Sequence, residues 1–455
     1  MRGFLASSTG VAACAALVLP LALPSGASAA TASTTPRAVP PAPRAQPVRA
    51  PELLPKAPDV PGTTQSLPLP ESPTADTPST RSVSPTGPAL PERGRYEPRV
   101  RPFSLVGVVW DDAAAELPGT VQIRTRTTGT GTWSGWQDVE THTEGHGADP
   151  GTPEAESARL RGATAPLWVG DSDGVEVRVR GRAADTALPR GLRLELVDPG
   201  AAEPSAPGAR HPAPPDPDPA PGSPATRAVA PASGPLPSAL ARPPFPDLFA
   251  AKKYVGPRPT IVSRKGWGAN ESLREGGYVY TGTVKAAFVH HTSTGNNYTC
   301  KQAPSVLRGI YRYHVVSSGW RDFGYNFAVD KCGTIYEGRA GGVTKAVLGA
   351  HTLGFNTNTM GVAVLGSFTS TTPPSAVSTA VAKLTAWKLG LFSANPKGKV
   401  TLTSGGSGKY ARGRKVSFHV VSGHRDGVST DCPGTRLYNR LPTIRTSSAG
   451  YQGRP

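Results

Sequence analysis

Residues 422–434 read Ser422-Gly423-His424-Arg425-Asp426-Gly427-Val428-Ser429-Thr430-Asp431-Cys432-Pro433-Gly434. The stretch sets a histidine and a cysteine eight residues apart in a run of Gly, Asp, Ser and Pro. The preceding Val416-Ser417-Phe418-His419-Val420-Val421 reads as a strand that delivers His424. Some 130 residues upstream, Phe288-Val289-His290-His291-Thr292 ends a short apolar run on two histidines. Two imidazoles and one thiolate make three zinc ligands with the fourth position free, a catalytic arrangement and not a closed structural one.

The cysteine count points the same way. Of four cysteines, Cys14 lies in a leader expected to be removed, leaving Cys300, Cys332 and Cys432. An odd cysteine in an exported chain needs an explanation. The simplest is a Cys300–Cys332 disulfide with Cys432 as a thiolate on metal. An unpaired buried thiol is the alternative reading of Cys432, and the flanking His424 and Pro433 favour metal.

Residues 1–29 read as a secretory signal: Arg2, an apolar core from Val11 to Leu23, and the small-residue site Ala27-Ser28-Ala29. The core is too short to span a bilayer, and no later stretch is longer. The expectation is a secreted monomer, released or held on the cell wall by charge, with no transmembrane segment. Fifty prolines and 52 glycines are unevenly placed. Segments 30–98 and 201–250 are rich in Pro and Ala with few aromatics, so they read as disordered tethers that bury too little apolar surface to fold. Between and after them, 99–200 and 251–445 read as folded domains.

Charge is equally uneven. The chain carries +17 overall, yet from Ala251 onward about 27 Lys and Arg face about 7 Asp and Glu, roughly +20. Nucleic acid is a poor partner for an exported chain without aromatic platforms on a basic groove. An anionic cell-wall polymer fits better, and a merely soluble basic domain is the plain alternative.

Residues 99–200 look all-β. Phe103–Trp110, Val121–Arg126, Gly174–Arg180 and Leu192–Val197 are strand candidates separated by turn residues, as in a sandwich. Trp110, Trp133, Trp136 and Trp168 read as structural before they read as a sugar-stacking surface. No cluster of titratable residues in this domain suggests chemistry.

Downstream, helices and strands alternate irregularly. Val284–His290 and Met360–Leu365 read as strands, and Tyr325–Val329 with Thr334–Tyr336 as a hairpin. Pro304 opens a helix with Val306, Ile310, Tyr313 and Ser317 on one face, and Ser375 opens another. The fold class is α/β, a mixed β-sheet flanked by helices, preceded by an all-β sandwich-like domain and Pro-rich disordered linkers. Residues 393–415, with six Lys and Arg among Gly and Ser, read as a basic insertion, either a solvated loop or a source of contacts to wall phosphate.

The order of SRKGWGA (263–269), VHHT (289–292), GWRDFGYNFAVD (319–330), GTIYEGRAGG (333–342), LGAHTLGFNTNTMGVAVLG (348–366) and GHRDGVSTDCPG (423–434) resembles the peptidoglycan recognition protein family. More broadly it resembles type 2 N-acetylmuramoyl-L-alanine amidases, over roughly residues 255–442. The resemblance implies one zinc per chain on His290, His424 and Cys432. It places the family's tyrosine near the metal on Tyr325, puts Thr430 two residues before the cysteine, and sets His314, His351 and Asn356 near a muropeptide groove. It implies a peptidoglycan substrate and hydrolysis of the amide between the lactyl group and L-alanine. The alternative is a non-catalytic module that binds peptidoglycan without cutting it; retention of Cys432 and Tyr325 argues for the enzyme.

Without the resemblance, Tyr325 reads equally well as packed core. His291 adjoins a candidate ligand but faces the other side of its strand. His419 reads as a strand surface residue, and Arg425 and Asp426 as a turn salt bridge before partners of His424.

Overall fold

The computed structural model describes residues 62–70, 92–141, 143, 145–183, 186–200 and 253–455. The expected leader and the 201–250 linker lie outside the described residues.

Eight strands build the first sheet: β1 (Thr63–Pro68), β2 (Glu92–Glu97), β3 (Phe103–Trp110), β4 (Gly119–Thr127), β5 (Gln137–Val139), β6 (Gly162–Ala163), β7 (Leu167–Gly181) and β8 (Arg193–Asp198). The order is β1-β8-β3-β7-β4-β5, with β2 added to β7 and β6 to β3. The long β7 pairs with β3 through its first half and with β2 and β4 through its second. The two halves of the sheet share one core, in which Val106 and Val108 meet Val121, Ile123, Val177, Leu194 and Leu196. The sandwich-like β-domain is therefore present, but its border is not at residue 99. Strands β1 and β2 fall inside the segment expected to be disordered. Thr63–Pro68 pairs in register with Arg193–Asp198, so a short polar strand is stabilised by a partner far along the chain. Trp110 and Trp168 are buried, whereas Trp133 and Trp136 are half-buried under the guanidinium of Arg124.

The second sheet is mixed, with order β16-β10-β13-β11-β12-β9: β9 (Ile261–Val262), β10 (Ala286–His291), β11 (Phe327–Val329), β12 (Ile335–Glu337), β13 (Thr359–Val364) and β16 (Val421–Gly423). Only β11–β12 is antiparallel. β10 and β13 are buried at every residue, as central parallel strands should be. On one face pack α3 (Ser375–Gly390) and α6 (Leu441–Tyr451), which runs past the expected border at 445. On the other lies α2 (Ala303–Arg312), opened by Pro304 and continued by a π-helical turn, Tyr313–Ser317. Shorter helices are α1 (Arg264–Trp267), α4 (His424–Gly427) and α5 (Thr435–Tyr438).

Two expectations change here. The run Val416–Val421 is not one strand. β15 (Lys415–His419) pairs with β14 (Lys399–Thr403) in a separate sheet, and the chain then crosses to β16 beside β10. The basic insertion is also no bare loop. It folds as that two-stranded sheet, with Leu402, Val416 and Phe418 buried against Phe288 and Phe355.

The continuous apolar run of β3 has a simple cause. One face enters the β-domain core through Val106 and Val108. The other sends Leu105 and Val109, with Trp168 and Val197, against Leu307, Ile310 and Tyr313. The Tyr313 hydroxyl donates to the carbonyls of Val108 and Thr164, at 3.3 and 3.2 Å. The β-domain thus packs on the α2 side of the mixed sheet.

Candidate metal centre

β10 and β16 lie side by side and parallel, so their C-terminal ends deliver side chains to one edge, where ligands gather in sheets of this kind. His290 is the penultimate residue of β10, and His424 follows Gly423, the last of β16. The loop after α4 returns to the same edge when Arg425 N–H bonds the Cys432 carbonyl at 2.9 Å. Cys432 Sγ accepts the His291 N–H at 3.4 Å and lies 3.8 Å from His290 Nδ1. The ring centres of His290 and His424 are 4.4 Å apart.

A fourth residue joins this group. His146, from the β-domain segment between β5 and β6, packs its ring 4.3 Å from His424 and 5.5 Å from His290. One ligand atom from each of His146, His290, His424 and Cys432 lies within 4.8 Å of all the others.

The hydrogen bonds identify the nitrogens left free. His424 Nε2 is 2.9 Å from the Gly145 carbonyl, which can only accept, so Nε2 carries the proton and Nδ1 presents a lone pair. That Nδ1, like Nε2 of His146, is enclosed and has no hydrogen-bond partner among the described residues. His290 Nε2 faces the Thr352 hydroxyl at 3.4 Å, which directs Nδ1 at Cys432. Buried orphan nitrogens beside a thiol are the donor set that zinc takes, and the carbonyl behind His424 is the kind of partner that fixes a metal-binding imidazole.

The electrostatics agree. Burial, and then the neighbouring imidazoles, hold His290 and His424 well below the usual histidine value, so both imidazoles are neutral at pH 7. Burial lowers His146 to about 4. Burial pushes the Cys432 thiol up; a divalent cation at this point supplies the opposite charge that favours thiolate.

The remaining predicted site residues are distributed as follows. Tyr325 is buried, with its ring 5.1 Å from that of His290, and burial followed by the proximity of Cys432 raises its hydroxyl well above the ordinary value. Thr430 Oγ1 accepts the Cys432 N–H at 3.2 Å. Both line a cavity of ≈ 570 Å³ that also touches His146, His291, His314 and Cys432. His314 is buried and stacked on Trp320 with ring centres 4.4 Å apart. His351 and Asn356 are fully buried beside the centre. Asn356 Oδ1 accepts the His351 N–H, and its Nδ2 donates to Gly147 O and Asp149 Oδ1. His291 turns away: its Nδ1 accepts the Phe368 N–H and its Nε2 meets Ser293. Cys300 and Cys332 are joined in a disulfide, their Cα atoms 6.2 Å apart, and Cys432 is the free thiol among the described residues. Arg425 and Asp426 do not support the His424 ring. Asp426 accepts from Gly423 N and Tyr438 OH, Arg425 bonds the Asp431 carbonyl, and the ring's partner is Gly145.

Sequence reasoning missed His146, Gly145 and Asp149 because the β-domain was set aside as chemically empty. The available signal was Gly145-His146-Gly147, a histidine freed on both sides by glycine.

Residues 280–435 match the N-acetylmuramoyl-L-alanine amidase family, and residues 55–216 match a family described as Rv3811 N-terminal galactose-binding domain-like. The two matches thus carry the three residues expected at the centre and the unexpected His146, respectively. Peptidoglycan-recognition protein SC2 of Drosophila simulans is 33% identical over 198 residues, covering 43% of this chain and 91% of that protein. The N-acetylmuramoyl-L-alanine amidase of Homo sapiens is 32% identical over 172 residues, which are 37% of this chain and 25% of the human protein. Among solved structures, Drosophila PGRP-LB is similar at 25% identity with a TM-score of 0.33, over 40% of this chain and 93% of that one.

Proposed function

From the premise that this chain belongs to the peptidoglycan recognition protein family, we propose that it is an exported, zinc-dependent N-acetylmuramoyl-L-alanine amidase that cleaves the lactyl–L-alanine amide of peptidoglycan. The observation that carries this reading is the convergence of His290, His424 and Cys432 at one sheet edge with Tyr325 against them. A module that only binds glycopeptide has no need of a buried thiol between two neutral imidazoles.

His290 and His424 offer lone pairs without first losing protons at neutral pH, and Cys432 offers a thiolate once a cation is near. When bound there, zinc supplies Lewis-acid polarisation of the amide carbonyl and activation of a water. The Tyr325 hydroxyl is kept protonated by burial, so it is a hydrogen-bond donor for the oxyanion that develops on that carbonyl. The Thr430 hydroxyl accepts from Cys432 N, which leaves its own proton to point into the cavity.

Among the described residues no helix is long and apolar enough to cross a membrane. The excess of positive charge beyond Ala251 supports contact with anionic wall polymers. The test is digestion of purified peptidoglycan by the zinc-loaded chain. New N-terminal alanine, absent after chelation, supports the amidase; retention on the wall without new amine supports the binding module instead.

A further inference from the structure

The segment 145–161 leaves the β-domain, crosses to the mixed sheet and returns. Gly145 O accepts from His424 Nε2 and from Leu353 N, both at 2.9 Å. A Cβ at Gly145 would lie 2.5 Å from Val428 Cγ2 and 3.2 Å from His424 Cε1, so only glycine permits this approach. Asp149 is caged: Oδ1 accepts from Gly354 N at 2.8 Å, Asn356 N at 3.3 Å and Asn356 Nδ2 at 2.7 Å, and Oδ2 accepts from Thr357 N and Oγ1 at 3.3 Å. Glu154 takes Arg339 with both carboxylate oxygens at 2.8 Å. Arg161 N–H bonds the Ser318 carbonyl at 3.2 Å. Four separate anchors hold the segment, and the side chain they place at the centre is His146.

We propose that His146 is the fourth ligand of the metal centre and that segment 145–161 closes the site in cis, so that the docked chain carries a latent metal. The inference rests on the metal reading of His290, His424 and Cys432. Three observations support it independently of the family. The His146 Nε2 atom is enclosed with no hydrogen-bond partner among the described residues. It completes a set of four nitrogen and sulfur donors within one small sphere. The segment also supplies the carbonyl that orients His424, so a ligand and the support of another ligand leave together if it is withdrawn. A site with three histidines and a cysteine filled by protein has no position for water or substrate carbonyl, which is the arrangement of a structural zinc. Glycopeptide must therefore compete with the segment, or the β-domain must move, before the cavity beside Tyr325 and Thr430 meets an open metal position.

The experiment uses the full chain loaded with zinc, or with cobalt as a visible probe. In the wild type, added azide should leave the cobalt spectrum unchanged. In His146→Ala, azide should bind and shift the spectrum, and zinc should pass to a chelator at least about 10-fold faster. His146→Asn should behave as His146→Ala does, and circular dichroism should show both folded. If azide shifts the wild-type spectrum, the fourth position is open and the inference is wrong, a result that needs no variant to fold. Equal rates of zinc release from wild type and a folded His146 variant overturn it too. A full chain that retains neither metal removes the metal reading and this inference together. Retention with an open position removes the inference alone.

Discussion

Glu154 of the β-domain and Arg339 of the mixed-sheet domain form a two-pronged ion pair, each oxygen 2.8 Å from its nitrogen and each side chain less than a tenth exposed. Burial alone would raise the Glu154 carboxyl, but the charge and hydrogen bonds of Arg339 and the N–H of Arg321 hold it below the ordinary value. Arg339 also donates Nε–H to the Phe323 carbonyl at 2.8 Å, so its fork cannot swing out to water cheaply. Glu154→Ala therefore strands a buried guanidinium and should cost about 3–5 kcal/mol, whereas Glu154→Gln keeps part of the hydrogen bonding and should cost less. Urea unfolding at pH 7 measures both. A Glu154→Ala loss within about 0.5 kcal/mol, the scale of an ordinary surface change, would show that the pair is open to solvent.

Cys432→Ser replaces the soft ligand by a hydroxyl that stays protonated beside two imidazoles. Zinc content after dialysis should fall from one per chain to a small fraction, with the fold retained because a serine hydroxyl can still accept the His291 N–H and the Arg425 N–H bond goes to the residue's carbonyl, which the change leaves alone. Zinc bound as tightly by the variant as by the wild type would remove Cys432 from the ligand set.

Tyr325→Phe separates two roles. If the hydroxyl donates to the developing oxyanion, turnover by a fully zinc-loaded variant should drop about 10²-fold or more, with zinc content unchanged. If the ring is only packing between His290 and His314, turnover should stay within a few-fold. Metal content is measured on the same sample, since a lost zinc imitates a lost donor.

The second sheet was legible because its central strands are apolar on both faces and its helices start at recognisable signals, Pro304 and Ser375. Three of the four clustered donors were legible because two short motifs carry them: local sequence places His290 and His424 at strand ends and Cys432 in the loop that follows. What could not be read was anything that depends on docking. β1 has no apolar alternation, and its pairing with β8 supplies the order that its sequence lacks. β3 showed a full apolar run, which says both faces are covered without saying by what; the cover on one face proved to be α2. His146 stands in a Gly-rich turn whose position is set through Asp149 and Glu154, and the groups that hold those two, Asn356 and Arg339, are far along the chain. A constellation assembled across two domains leaves no spacing for a motif to record.

Acid should weaken the fold through histidines buried in the neutral form. Burial lowers His314 and His351 to about 3, and the ordinary value is near 6.5. Between those values the unfolded chain binds protons that the folded chain refuses, so stability falls as pH falls. Each such histidine removes about 1.4 kcal/mol per pH unit across that window, and neither changes stability above it. Thermal midpoints of the metal-free chain should decline steadily as pH falls from about 6.5. His314→Gln should make the decline shallower, and an unchanged slope would mean that the ring reaches water.

The docking of the β-domain can be loosened far from the metal. Gly107 sits in β3 with no room beside it, since a Cβ there would press on the hydroxyl and ring of Tyr313. Tyr313 cannot retreat, because its hydroxyl is held by the carbonyls of Val108 and Thr164 and its ring is fully buried. Gly107→Val should therefore strain the boundary by about 1–3 kcal/mol, and the double change with Tyr313→Ala should recover part of the lost thermal midpoint. If segment 145–161 stays on the metal centre only while the β-domain is docked, Gly107→Val should also speed zinc release to a chelator, in the same direction as His146→Ala though no ligand has been touched. A destabilised Gly107→Val chain that releases zinc at the wild-type rate would show instead that Asp149 and Glu154 hold the segment in place without help from the β3–α2 contact.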